Sequence, residues 1–132
     1  MPKPRQLPPL EDLQQRTDQV IKILELLEQE IQEILTTGKV APAGCWIVRY
    51  QARGRKGTYW YYKLQATVAI FPSKNNPQKL SKYKHLGKAG SLAYLDTVEQ
   101  VARRAKIEGL QQAIDTLKLG LSDLSEEASK YK

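Results

Sequence analysis

At 132 residues, with 41% apolar and 8% aromatic side chains, the chain is long enough for one domain with a sizeable core, or a small domain with helical extensions, and too apolar for a disordered tail. Its formal charge of +7 is unevenly spread: residues 1–37 sum to −3, residues 38–95 to +11 and residues 96–132 to −1. The lone cysteine, Cys45, excludes an internal disulfide, and no apolar run approaches the roughly 18 residues that a membrane span needs.

Residues 1–9 hold four of the seven prolines and two basic residues, and read as a flexible or extended arm. Met1-Pro2-Lys3-Pro4-Arg5 has no apolar stretch behind it and does not read as a secretory signal, so the expected location is the cytoplasm. From Leu10 the spacing becomes regular. Leu10, Leu13, Thr17, Val20, Leu24, Leu27, Ile31 and Ile34 step 3-4-3-4-3-4-3, which predicts an amphipathic, coiled-coil-like helix over 10–37 with one polar residue in its stripe. Ile21, Ile23, Leu26 and Leu35 widen that stripe, and Thr36-Thr37-Gly38 ends the helix with Gly38 in a left-handed cap.

After a turn-rich connection the period changes to two, and a basic three-stranded antiparallel sheet is expected over 44–90. In Trp46–Ala52 one face reads Trp46, Val48, Tyr50 and Ala52, the other Ile47, Arg49 and Gln51. Arg53-Gly54-Arg55-Lys56-Gly57 reads as a hairpin loop. The second strand, Thr58 to Phe71, alternates Trp60, Tyr62, Leu64, Ala66, Val68 and Ile70 with Tyr59, Tyr61, Lys63, Gln65 and Thr67. Pro72 to Gln78 is a polar loop, and Leu80 to Leu86 forms the third strand.

Gly87-Lys88-Ala89-Gly90-Ser91 closes the sheet, with Ser91 or Asp96 capping a C-terminal helix over 91–124 and a frayed tail over 125–132. Ile107, Leu110, Ile114, Leu117, Leu121 and Leu124 repeat the 3-4 stepping. The fold class is therefore α+β: a long heptad helix, a three-stranded sheet, and a second helix that packs on the first. Leu13, Val20, Leu24, Leu27, Ile31, Ile107, Leu110, Ile114 and Leu117 are the expected packing residues. An antiparallel pair within one chain, or a four-helix bundle across a homodimer, would bury both stripes.

Between Glu33 and Asp96 there is no aspartate or glutamate, while eleven lysines and arginines, both tryptophans and six of the seven tyrosines fall there. A one-sided basic surface with interleaved aromatics points to a polyanion, nucleic acid above all. With Trp60, Tyr62, Leu64 and Val68 turned inward, the outward face is expected to present Arg49, Gln51, Tyr59, Tyr61, Lys63 and Gln65. The hairpin tip adds Arg53, Arg55 and Lys56, and the end of the sheet adds Lys82, Lys84 and Lys88. Lysine and arginine meet phosphates, arginine and glutamine also read base edges, and exposed tyrosines stack on bases or bond phosphates.

Other chemistry is thin. His85 and Cys45 supply two soft ligands where a structural zinc site needs four, so no metal or other cofactor is expected. His85 reads as a sheet residue or phosphate contact, and Cys45 as a small buried apolar group. Gly87–Ser91 lacks the residue order of a phosphate-binding loop. Arg103, Arg104 and Lys106 form a second basic cluster that reads equally as a solvated helix face or a backbone contact. No catalytic constellation is recognisable, and no enzyme activity is expected.

Val48-Arg49-Tyr50, Gly57-Thr58-Tyr59-Trp60-Tyr61-Tyr62-Lys63-Leu64 and Lys82-Tyr83-Lys84-His85-Leu86-Gly87-Lys88, followed by a helix, resemble the three-stranded-sheet-plus-helix DNA-binding modules at the N-terminus of tyrosine integrases and in plant AP2-type factors. The resemblance covers about residues 44–108, is one of pattern without a diagnostic motif, and implies a sheet that reads the major groove. The chain is also similar to short basic proteins of bacterial genomes, cyanobacterial ones included, and of mobile elements. The long N-terminal helix departs from the integrase module, so the resemblance extends only to a stand-alone DNA-binding or accessory protein.

The expected function is thus non-enzymatic binding of duplex DNA by the basic, tyrosine-rich sheet, with a homodimer through the helices and no membrane contact. RNA or single-strand binding through Tyr59, Tyr61 and Tyr83 is the first alternative. A helical protein-interaction adaptor with a basic face for an acidic partner is the second.

Overall fold

The 3-4 stripes and the period-2 segments each become the element their spacing dictates. The computed structural model describes residues 9–131. The order is α1 (Pro9–Thr37), β1 (Trp46–Gly54), β2 (Gly57–Gln65), β3 (Phe71–Pro72), β4 (Leu80–Ser81), β5 (Tyr83–Gly87) and α2 (Leu92–Ser129). The class is α+β, with one antiparallel sheet in the order β1-β2-β5 and a small β3-β4 pair. The arm expected over 1–9 lies outside the described residues except for Pro9, which opens α1. The tail expected to fray from Ser125 is instead helical to Ser129.

The described residues group into two units: α1 through Thr36 with α2 from Ile107 onward, and Thr37–Lys106. In the helical unit α1 packs antiparallel on α2. Leu13 and Thr17 lie by Leu121 and Leu124, Ile31 lies by Gln111, Ile114 and Lys118, and Arg16 pairs with Glu127. Leu13, Ile107 and Ile114 are buried, and Val20, Leu24, Leu27, Ile31, Leu110 and Leu117 are half-buried along the same seam. Thr17, the polar member of the stripe, donates its hydroxyl to the Leu13 carbonyl at 2.8 Å, so it adds no unpaired group to the seam. Ile21, Ile23, Leu26 and Leu35, the residues that widened the stripe, stay exposed.

The second unit is built on the β1–β2 hairpin. Its turn is Arg55-Lys56, with Gly54 opposite Gly57. Gly57 has φ +135°, a conformation that L side chains rarely adopt. The tighter turn changes the expected pairing. A loop of five residues would set Ala52 against Thr58; the two-residue turn sets Ala52 against Tyr59, a slip of one that turns every β1 side chain to the other face.

β2 also stops earlier than its alternation predicts. The chain bends after Gln65, so Val68 and Ile70, expected inward, are exposed, and Phe71 is buried. The expected third strand divides in consequence: Leu80–Ser81 pairs with Phe71–Pro72, and Tyr83–Gly87 pairs with β2. A bulge places Tyr62 opposite Gly87 and Lys63 opposite His85, leaving Leu86 as the extra residue, and Leu86 enters the core. That core is Leu64, Ala66, Phe71 and Leu86, with Ile47, Cys45, Tyr62, Tyr94 and Val101 packed around it.

The first turns of α2 are tied to this sheet. Ser91 is the N-cap: its Oγ accepts the Tyr94 N–H at 3.2 Å and donates to the Leu86 carbonyl at 2.9 Å. Gly38 is not a left-handed cap, because its φ is not positive. It is small for another reason: a Cβ there would lie 2.7 Å from Cζ of Arg103. Arg103 donates to the Lys39 carbonyl at 2.9 Å and Arg104 to the Ala41 carbonyl at 2.7 Å, while the Ala41 N–H donates to the Gln100 carbonyl.

Candidate nucleic-acid interface

Residues directly opposite in an antiparallel pair share a face, so the register sorts the expected contacts. Val48 faces Lys63, Tyr50 faces Tyr61 and Ala52 faces Tyr59, and on β5 His85 faces Lys63 and Tyr83 faces Gln65. This side, turned away from the Leu64 core, holds Tyr50, Tyr59, Tyr61, Tyr83, His85 and Lys63. Alternation predicts Tyr59 and Tyr61 on this side and Tyr50 on the other; the turn length is what brings Tyr50 here.

The aromatic rings of this face carry ammonium groups. The Lys63 Nζ lies 4.7 Å from the Tyr83 ring centre and 5.2 Å from that of Tyr50. The Lys88 Nζ lies 4.3 Å from the Tyr59 ring and 6.0 Å from the Tyr61 ring. Such cation–π contacts are worth about 0.5–1 kcal/mol each at exposed sites, enough to bias where a flexible lysine points. Tyr50 and Tyr61 stack at 6.0 Å, the Tyr50 hydroxyl and His85 Nδ1 are hydrogen-bonded at 2.9 Å, and Tyr83 meets the His85 ring edge-on. Gly54 leaves room for Tyr59, whose ring carbon would be 2.9 Å from a Cβ there.

Arg49 and Gln51 are not on this face. Arg49 lies opposite Tyr62 and Gln51 opposite Trp60, on the side that faces the core further along the strands, and Arg53, opposite Thr58, follows them. The expectation that Arg49 and Gln51 join Tyr59, Tyr61 and Lys63 is corrected by the two-residue turn. The Arg49 Cζ instead sits 3.5 Å from the Trp60 ring centre. Arg55 and Lys56 form the exposed tip.

Of the remaining expected contacts, Lys88 joins the tyrosine face and Lys84 does not. Lys84 pairs opposite Leu64 and lines a cleft of about 420 Å³ with Pro42, Leu64, Phe71, Pro72, Thr97 and Gln100. Lys82 is exposed between β4 and β5, where its carbonyl accepts the Ala66 N–H at 2.8 Å. Arg103 and Arg104 are half-buried and each donates to a carbonyl of the 39–41 segment, so the solvated-face reading of that cluster does not hold for them.

Burial pushes the Cys45 thiol above its ordinary value, and the nearby charge of Arg104 works against that shift. Among the described residues no group of three or more His, Cys, Asp or Glu side chains is placed to hold a metal ion, and no helix is long and apolar enough to cross a membrane. Comparison of the chain with protein-family models, curated proteins and solved structures gives no match.

Proposed function

We propose that the chain is a non-enzymatic DNA-binding protein of the cytoplasm, a small regulator or mobile-element accessory protein, that lays the lysine-capped tyrosine face of its sheet on duplex DNA. One observation carries the reading: Lys63 rests over Tyr50 and Tyr83, and Lys88 over Tyr59 and Tyr61, in a stretch with no acid between Glu33 and Asp96. A phosphate approaching this face meets ammonium groups first. A base seeking a tyrosine ring has to displace them, which favours the backbone of a duplex over stacked single strands.

A hairpin is also narrow enough for the major groove, about 12 Å wide in B-DNA. With Lys63, Lys88, Arg55, Lys56 and Lys82 each on a phosphate, log affinity falls against log salt with a slope of about −4.5. The test is competition among duplex DNA, single-stranded DNA and a structured RNA at one salt concentration. Duplex DNA is expected to compete best. A single strand or RNA competing best replaces the reading with the first alternative, and affinities of only about 10⁻⁴ M for all three at physiological salt replace it with an acidic protein partner.

The helical unit supports a second element of the reading, a homodimer. Besides the residues along the seam between α1 and α2, Ile21, Ile23, Leu26 and Leu35 on α1 and Leu119 on α2 are exposed, apolar surface that a partner helix would cover.

A further inference from the structure

The tyrosine face leaves the other side of the same hairpin without a role. β5 pairs with β2 only from Tyr62 to Gln65, so beyond Tyr62 the ribbon has two strands. Tyr62, the last residue of that side against the core, meets the Tyr94 ring at 4.8 Å, and Trp60, the next one outward, is 44% exposed. A large indole left in water at a ribbon end does nothing for the core. Arg49 lies over it, its guanidinium carbon 3.5 Å from the ring centre, and Gln51 stands directly opposite it in the register.

We propose that the Arg49–Trp60 stack is a second DNA contact, a platform for an unpaired base of a strand that leaves the duplex. The proposal rests on the DNA-binding function given above. Its chemistry differs from that of the tyrosine face in one respect. A lysine ammonium laid on a ring has no plane to offer, whereas a guanidinium on an indole continues the stack, and bases stack on arginine planes as well as on aromatic rings. Arg49 thus adds charge without closing the platform. Gln51 supplies an amide that can donate to and accept from a base edge, and Arg53, opposite Thr58 on the same side, supplies a cation one step toward the tip for the adjoining phosphate.

Two faces of one ribbon then hold two forms of DNA, the paired backbone on the tyrosines and the unpaired base on the indole. The preferred target is a duplex with a single-stranded extension, and base–aromatic stacking of this kind makes it bind about tenfold tighter than the duplex alone.

The experiment uses the full chain with Trp46→Phe, so that Trp60 is the only tryptophan. A labelled duplex, and the same duplex with a thymidine tail, are titrated while label anisotropy and Trp60 emission are both followed. The expected result is binding of both DNAs, with the tailed one about tenfold tighter and alone in quenching Trp60. Arg49→Lys, which keeps the charge and removes the plane, and Trp60→Leu are each expected to abolish the gain from the tail and leave duplex affinity in place. Anisotropy that reports binding while the tail brings neither gain nor quenching overturns this inference and leaves the DNA-binding function standing. Equal quenching by both DNAs overturns it too. No anisotropy change with any DNA overturns the function on which it rests.

Discussion

A single glycine shows how residue-level signals divide. Gly38 ends α1 as its position suggested, yet its value lies in a missing Cβ, because Arg103 comes from 65 residues away in sequence to occupy that space. Nothing local in Thr36-Thr37-Gly38 could announce that partner. Gly38→Ala and Arg103→Ala are each expected to cost about 1–2 kcal/mol by displacing the guanidinium from the Lys39 carbonyl. Because both remove the same contact, the double variant should cost little more than either alone, which a denaturant-melt cycle measures. For the lysines the readout is salt. Lys63→Ala and Lys88→Ala should each flatten the slope of log affinity against log salt by about one, without altering the circular dichroism. Cations that touch no phosphate would leave the slope unchanged.

At the scale of elements, period and composition made both helices, the sheet and its antiparallel sense legible, but the phase of the strands was not. Alternation says which residues of one strand share a face and is silent on which face of the neighbour they join. The turn decides that. Arg53–Gly57 supplies two glycines that fit either a five-residue loop or a two-residue turn between Gly54 and Gly57, and the second is the one formed. Arg49 changed sides for that reason alone. The bend after Gln65 was hidden similarly, since Ala66, Val68 and Ile70 continue a perfect alternation that the backbone abandons. Ser91 was legible and does more than cap: through the Leu86 carbonyl it fastens the bulged strand to the start of α2. Ser91→Ala is accordingly expected to cost about 1–2 kcal/mol and lower the melting temperature by several degrees, while Ser91→Asp, able to cap but not to donate, recovers only part of it.

Over the whole molecule the charge partition was the clearest signal, and it survives as two kinds of surface. The acid-free stretch forms the sheet, and the acids keep to the helices, where Asp12, Glu99 and Glu127 pair with arginines. The apolar stripes were legible as helix packing, and α1 packs on α2 along one seam within the chain. An aspartate at half-buried Leu24 would injure that seam, so assembly is better tested at Ile23 and Leu26, both exposed. Ile23→Asp with Leu26→Asp should lower the mass seen by sedimentation and keep the helical signal; an unchanged mass would mean that the chain is a monomer or assembles elsewhere. The exposed Arg55-Lys56 turn has one more consequence. It divides the sequence so that each half holds one long helix and one strand of the hairpin, neither able to cover its own apolar stripe. Residues 1–55 and 56–132, produced as separate chains, should therefore behave as a split protein: insoluble or unfolded apart, and recovered together on a tag carried by either when they are coexpressed.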